Sequence, residues 1–506
     1  MSTASAWSVA LLGMEGTLVE VEAAIGPGLP RTVLVGLPDT ALYEARDRCR
    51  AAVAGAGLAW PSQLLTINLT PASLPKAGSH YDLAIVAAVL ASANIVPRTI
   101  AGSSVLVGEL GLDGRVRSVR GVLPALLAAR KAGIATAVVP AQQVGEALLV
   151  SGITVWGVSC LDDLVEVLHG RPVLSVVPPA VQGDATHVPC ADLADVRGQP
   201  EACWAVEVAA AGGHHIFLHG APGVGKSMLA ERLPGLLPDL PDEQALEVSA
   251  IHSLAGEVLG QGLIRRPPFA NPHHNASMAA LIGGGARMAR PGTISLAHRG
   301  VLFLDEAPEF SSRVLEALRT PLETGEVLIA RSTSHVRYPA RFQLVMAANP
   351  CPCGLAGVAG AACTCTPMSV RRYNERLSGP VLDRIDIHHR LLPNLRVMAE
   401  TMAGESSSVV AARVHAARER QRDRLVGTPW STNGEVPGFH LRTLPTPDGF
   451  PLIDEAVRTG RLSARGVDKV VRIAWTLADL AGRDRVGRTD MAAALGLRQD
   501  AWGCAA

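Results

Sequence analysis

The chain has 506 residues, 48% of them hydrophobic and 18% charged, which is ample apolar material for buried cores and excludes an intrinsically disordered polymer. Lysine plus arginine equals aspartate plus glutamate at 46 each, so no overall field would hold the chain on nucleic acid or an anionic membrane, and such contacts must come from local patches. The length points to about three domains.

The N-terminus lacks the basic segment, apolar core and small-residue cleavage site of a secretory signal, and no charge-free apolar run is long enough for a membrane span. A soluble cytoplasmic protein with no membrane partner is therefore expected. Residues 1–170 contain β-type runs at Thr32–Val35, Leu64–Leu69 and Val105–Val107, with helical stretches from Thr40 to Ala56 and from Asp82 to Ala93 between them. That alternation predicts a compact α/β domain. Residues 171–189, with Pro172, Pro178, Pro179 and Gly183 and little periodicity, read as a linker.

An α/β ATPase core is expected over 190–390. The apolar run Ile216-Phe217-Leu218 is followed by Gly220, Ala221, Pro222, Gly223, Val224, Gly225, Lys226 and Ser227, and then by a helical run from Met228 to Leu233. This is G-x-x-x-x-G-K-[ST] in its proper strand–turn–helix setting, a phosphate loop. Its glycines let successive N–H groups turn inward around a polyphosphate. Lys226 brings a positive charge to the outer phosphates and Ser227 a hydroxyl for Mg²⁺, so ATP and Mg²⁺ are the expected cofactors. Downstream, the buried-strand pattern Val301-Leu302-Phe303-Leu304 ends in Asp305 and Glu306. Asp305 would hold Mg²⁺, and Glu306 would act as base on the attacking water.

Four of the nine cysteines, Cys351, Cys353, Cys363 and Cys365, fall within one short loop. Four thiolates can close a tetrahedral Zn²⁺ site, although C-x-C is tighter than the usual spacing; reduced cysteines filling a loop are the alternative. His273 and His274 are weaker ligand candidates, since adjacent side chains diverge. Basic residues cluster in an insert (Arg287, Arg290), in an expected hairpin from Gly325 to Arg341 (Arg331, His335, Arg337) and along a helix with Arg413, Arg418, Arg420, Arg422 and Arg424. The first two sets would suit a phosphate backbone, with a solvated hairpin as the plain alternative, and the third reads as a solvated face. Beyond residue 390 the pattern turns helical, so 391–506 is expected to form a helical lid.

Several blocks carry a family resemblance. The run from Leu74 to Leu83, with Val107-Gly108-Glu109-Leu110 and Gly114-Arg115-Val116, resembles the Lon-protease-type front domain of magnesium-chelatase-like ATPases of the ComM/YifB group. Leu123 stands where a Lon peptidase has its lysine and the serine register near Ser79 is off by one, so a non-proteolytic scaffold is implied, with neither Ser79 nor Lys76 catalytic. The blocks Ala280–Gly285 and Arg290–His298 are also similar to this group, which commonly has a basic residue where this chain has Ala270. By the same resemblance, Asn349 matches the AAA+ sensor asparagine, Arg384 an arginine finger acting on a neighbour's γ-phosphate, and Arg465 the sensor-2 arginine. The resemblance implies an AAA+ ATP hydrolase, working as a homo-hexameric ring. It would move on branched or single-stranded DNA as a helicase or branch-migration motor in recombination of incoming DNA, with recombination proteins as partners. A magnesium-chelatase motor subunit and a protein-remodelling ATPase are the alternatives.

Overall fold

In a computed structural model, the chain is described over residues 2–36, 40–74, 76, 78–171, 191–257, 259, 262–285, 289–330, 335–357, 362–392 and 404–499. The expected linker at 171–189 lies almost wholly outside the described residues, as do Arg287 and Arg331.

The first half holds a seven-stranded mixed sheet. Its strands are β1 (Ser2–Leu12), β2 (Glu15–Gly26), β3 (Arg31–Val35), β4 (Leu64–Thr70), β5 (Ser104–Leu106), β8 (Thr136–Pro140) and β9 (Thr154–Val158); β6 (Glu109–Leu110) and β7 (Val116–Arg117) form a separate small hairpin. The order is β3-β4-β2-β1-β5-β8-β9, with β1, β2 and β4 antiparallel and the remaining pairs parallel. The helix Asp82–Ser92 is apolar on every side between its first and last residues and is buried along its whole length, as a helix without a polar face must be. Asp82 opens it as a buried carboxylate, held by Arg48 at 2.7 and 3.0 Å and by the Leu110 N–H at 2.9 Å. Burial outweighs those bonds and raises its pKa to about 6.

The second half is organised by a five-stranded sheet in which every pair is parallel. Its strands are β10 (Ile216–Gly220), β11 (Phe269–Ala270), β14 (Val301–Leu304), β17 (Gln343–Ala348) and β18 (Ile387–Leu391). Two hairpins interrupt it, β12 (Gly283–Gly284) with β13 (Arg290–Pro291), and β15 (Glu326–Ala330) with β16 (His335–Pro339). The sheet order is β11-β14-β17-β10-β18, so β10 lies between the fourth and fifth strands of the series. Parallel sheets are covered on both faces, and their strands are apolar throughout. Here Ile216 and Leu218 face a core completed by C-terminal helices, through Val470, Ile473 and Trp475. Phe217 points the other way, to Leu302, Leu344, Met346 and Phe310. The fold is thus mixed α/β with a parallel sheet of the P-loop NTPase kind.

The two halves share a packed seam. Val122, Leu126 and Ala129 of the first half join Ala250 and Leu259 of the second in one core cluster. The Gly121 N–H donates to Ser253 O at 3.1 Å, and the Ser253 hydroxyl donates to the buried carboxylate of Glu146. Val336 and Tyr338 of β16 are buried beside Leu11 and Met14, leaving alternate residues His335 and Arg337 exposed on the opposite side of the hairpin.

The helix Ser407–Arg424 departs from the expected solvated basic face. Arg413 pairs with Glu207 and Glu405, Arg418 donates to Ala210 O at 2.7 Å, and Arg424 makes two 2.6 Å bonds to Asp479. Only Arg420 and Arg422 of the five are exposed. The inward three satisfy carbonyls and carboxylates at a helix–helix seam, a role that composition along one helix cannot distinguish from solvation.

Candidate functional site

The phosphate loop leaves the C-terminal end of β10 and enters the helix Lys226–Arg232, at the point where neighbouring strands β17 and β18 diverge in chain order, the usual place for a ligand in an open parallel sheet. Gly223 and Gly225 have φ of +75° and +98° with open space beyond them, so backbone conformation rather than room requires glycine there. The left-handed turns direct the loop's N–H groups to one side, a nest for an anion.

Lys226 is buried and donates from Nζ to Gly220 O and Ala221 O, both at 2.8 Å, and to Asn349 Oδ1 at 3.0 Å. Burial lowers its pKa, and the carboxylates of Asp305 and Glu306 oppose that fall. The Ser227 hydroxyl donates to Asp305 Oδ2 at 2.8 Å, bringing together the two oxygens expected to hold Mg²⁺. The hydroxyl, carboxylate and anion nest that fit a magnesium–nucleotide pair are thus supplied by the segments that follow β10 and β14. Glu306 follows in the left-handed region at φ 50°, uncommon for a residue with a side chain. Its N–H donates to Asp305 Oδ1 at 2.9 Å, and its side chain stands half exposed.

The sequence marks His274 only as a weak metal-ligand candidate, yet its Nδ1 lies 3.6 Å from Glu306 Oε2. No spacing signal links positions so far apart in sequence. Ala270 sits in β11 beside Leu302 of β14.

Arg384 and Arg465 lie elsewhere. Both line a cleft of about 640 Å³ together with Gly213, His215, Lys469 and Arg472. Gly213 and His215 precede β10, whereas the phosphate loop follows it, so the cleft is at the opposite edge of the sheet, on the order of 16 Å away for five residues of strand. Arg384 is oriented there by Glu323 and by Pro380 O, and its Nε is a buried donor with no hydrogen-bond partner among the described residues. Arg472 Nε is in the same condition. Neither Arg472 nor Lys469 carried a signal in the sequence beyond membership of an amphipathic helix.

The four loop cysteines converge. Their Sγ atoms all lie within 4.8 Å of one another, with Cys351–Cys353 at 3.3 Å, Cys353–Cys363 at 3.5 Å and Cys351–Cys363 at 3.8 Å. Thiolates at about 2.3 Å from a tetrahedral Zn²⁺ stand about 3.8 Å apart, so the donor set fits such an ion, and the tight C-x-C spacing has not kept the sulfurs apart. The Leu355 N–H, ahead of the neighbouring thiol of Cys351, draws the Cys353 thiol down to about 6.

In the first half, Lys76 Nζ donates to the carbonyls of Gly36 and Pro71 while Ser79 donates to Glu109. The two side chains have different partners. Leu123 is fully buried.

The family described as magnesium chelatase, subunit ChlI, matches residues 192–398; subunit ChlI of Mg-chelatase matches 21–143, and the ChlI C-terminal family matches 404–498. Among full-length relatives, an uncharacterized protein of Mycobacterium tuberculosis strain H37Rv is 52% identical, with 99% of each chain covered. The competence protein ComM of Haemophilus influenzae is 39% identical, with 98% of each chain covered. YifB of Escherichia coli K12 is 41% identical over 98% of this chain and 97% of its own. With likeness of this extent along both halves, the chain belongs to the ComM/YifB group of magnesium-chelatase-like proteins, an AAA+-type, ATPase-like family.

Proposed function

We propose that this protein is a ring-forming ATPase in which each nucleotide is held by one subunit and triggered by the next, and that the ring uses the energy to move on DNA. The observation carrying the first part is the separation of Arg384 and Arg465 from the phosphate loop of their own chain, at the opposite edge of the sheet, in a shared cleft where Arg465 is exposed and the Nε donors of Arg384 and Arg472 have no hydrogen-bond partner among the described residues. Such groups serve a phosphate only if another copy presents it, and a closed ring, a hexamer by family resemblance, satisfies every subunit.

In the proposed site Gly220–Ser227 cradles the phosphates, Lys226 neutralises outer-phosphate charge, and Ser227 with Asp305 would hold Mg²⁺, which when bound shields the phosphate oxygens. Glu306 takes a proton from the attacking water, Asn349 orients that water, and Arg384 and Arg465 of the adjoining copy stabilise charge that grows as the bond to the leaving phosphate breaks. Residues 1–170 are assigned to a non-proteolytic Lon-like scaffold, 190–390 to the ATPase core and 391–506 to a helical lid, with a linker at 171–189, in a cytoplasmic protein. Cys351, Cys353, Cys363 and Cys365 are assigned to Zn²⁺.

For the DNA part, support comes from the relative whose name is competence protein and from exposed Arg290, His335 and Arg337 on adjacent hairpins. Branched or single-stranded DNA is the substrate class, in recombination of incoming DNA alongside recombination proteins. The family descriptions favour a second reading, a magnesium-chelatase motor subunit. ATP-driven branch migration of a four-way DNA junction by wild-type protein, absent with Glu306→Gln, is the expected result. ATP turnover that responds to a porphyrin–enzyme partner or to polypeptide, and not to DNA, would replace the DNA motor with one of its rivals.

A further inference from the structure

The thiol cluster is built into the nucleotide site. Cys351 is fully buried and follows Asn349, the acceptor for Lys226 Nζ, by two residues. Its carbonyl accepts the N–H of Gly354 at 2.9 Å, and its sulfur accepts the N–H of Ala356 at 3.3 Å, folding the first C-x-C pair into a tight turn. Gly354, at φ +79°, then lies flat on the phosphate loop: a Cβ at this position would be 2.4 Å from Cγ and 2.6 Å from Cδ of Pro222, a ring that cannot rotate away. On the far side of the cluster, Thr366 follows Cys365 directly and caps the helix Pro367–Glu375. Beyond that helix, Arg376 donates to Pro308 O at 3.0 Å and to Glu309 at 2.9 Å, in the segment after Glu306.

We infer that a zinc ion bound by Cys351, Cys353, Cys363 and Cys365 is a strut for the nucleotide site, fixing Asn349 and the Gly354–Pro222 contact so that ATP affinity depends on the metal. The inference rests on the proposed nucleotide reading. Among the described residues of the loop, Cys351 and Gly354 are buried, whereas Cys353, Cys363 and Cys365 are not. A tetrathiolate centre closes the loop covalently in all but name, and structural zinc sites stabilise folds of this size directly. The Gly354 contact passes the constraint to the phosphate loop, and Cys351 passes it to the strand end bearing Asn349.

The test uses the full chain purified without chelator. Elemental analysis is expected to give one zinc per chain; well under one equivalent, or iron in its place, overturns the metal assignment. Affinity for a fluorescent ATP analogue is expected to fall at least tenfold in Cys363→Ser/Cys365→Ser, with zinc lost. If that variant fails to fold, Gly354→Ala keeps all four thiols, and it is expected to retain one zinc yet bind the analogue about tenfold more weakly. Wild-type affinity in zinc-bearing Gly354→Ala, or in the folded zinc-free double variant, overturns the strut. Zinc-replete wild type that binds no ATP overturns the nucleotide reading itself, and is distinguished from failure of the strut by its full metal content.

Discussion

Lys469 is the residue through which the cleft at the far edge of the sheet is held together, and its replacement by methionine gives a quantitative test. Nζ donates to Arg384 O at 2.7 Å and to Asp386 Oδ1 at 2.8 Å, while Asp386 Oδ2 accepts the His215 N–H at 3.0 Å. The two side chains are 11% and 4% exposed. Burial alone would push the Asp386 carboxyl up, but attraction to Lys469, first among its cationic neighbours, brings it below the usual carboxylate range. Lys469→Met leaves that carboxylate buried without its cation, which costs about 3–5 kcal/mol. Replacing both partners, in Lys469→Met/Asp386→Leu, removes the stranded charge and is expected to recover most of the loss, because an apolar pair of similar volume often equals a buried ion pair. Urea unfolding followed by tryptophan fluorescence measures both, since Trp475 lies on the same helix with the Arg424 guanidinium 4.6 Å from its ring centre. The single variant should also turn over ATP more slowly while binding it normally, because Lys469 fixes the carbonyl of Arg384 and not the phosphate loop. A cost below about 1 kcal/mol, or a double variant no more stable than the single, refutes the buried latch.

Arg384→Ala is expected to bind ATP but hydrolyse it at least about a thousandfold more slowly, within the range for a lost arginine finger. Mixed with Lys226→Ala, which lacks the cradle, it should regain part of the wild-type rate; no recovery in confirmed mixed assemblies counts against a shared site. His274→Ala removes the imidazole beside Glu306, and a roughly tenfold fall in turnover at unchanged ATP affinity is expected if it aims the carboxylate; steady-state kinetics reads both. Acid should destabilise the parallel-sheet half early. Burial lowers His214 and His215 to about 4 and His388 to about 3, whereas in the unfolded chain all three titrate near 6.5. The unfolded state therefore takes up protons first, so stability is full above pH 6.5 and declines as pH falls from there toward 4. The loss is about 2 kcal/mol for each histidine at pH 5, and a flat unfolding midpoint between pH 7 and 5 would contradict the buried neutral rings.

What the sequence made legible was local. The strand, turn and helix around Gly220–Ser227 are written in consecutive residues: an apolar run, glycines where φ must be positive, and a lysine at the helix start. Val301–Asp305 is similarly self-contained, because a strand buried on both faces must be apolar throughout and may turn polar only where it ends. The sheet order was not written there, since parallel neighbours such as Ile216 and Ile387 are paired by crossover packing rather than by any short-range signal. The basic helix Ser407–Arg424 marks the same limit: Arg418 and Arg422 lie four residues apart, yet the first feeds a buried carbonyl and the second faces water.

The consequence for mechanism is sharpest at Arg465. A sensor-2 match names an arginine near a nucleotide without saying whose nucleotide it is. Its neighbours on the same helix support the proposed assignment to an adjoining copy: Lys469, one turn on, bonds to the Arg384 carbonyl, and Thr476 bonds with His214 just ahead of β10. Ser463 caps the helix and sets its start. With those contacts made, the first turn and Arg465 open into the Arg384 cleft, and the five residues of β10 separate it from Lys226. Moving Arg465 to its own chain's phosphates would require breaking a buried ion pair and a buried hydroxyl–imidazole bond at once. Supplying the phosphates from an adjoining copy requires neither.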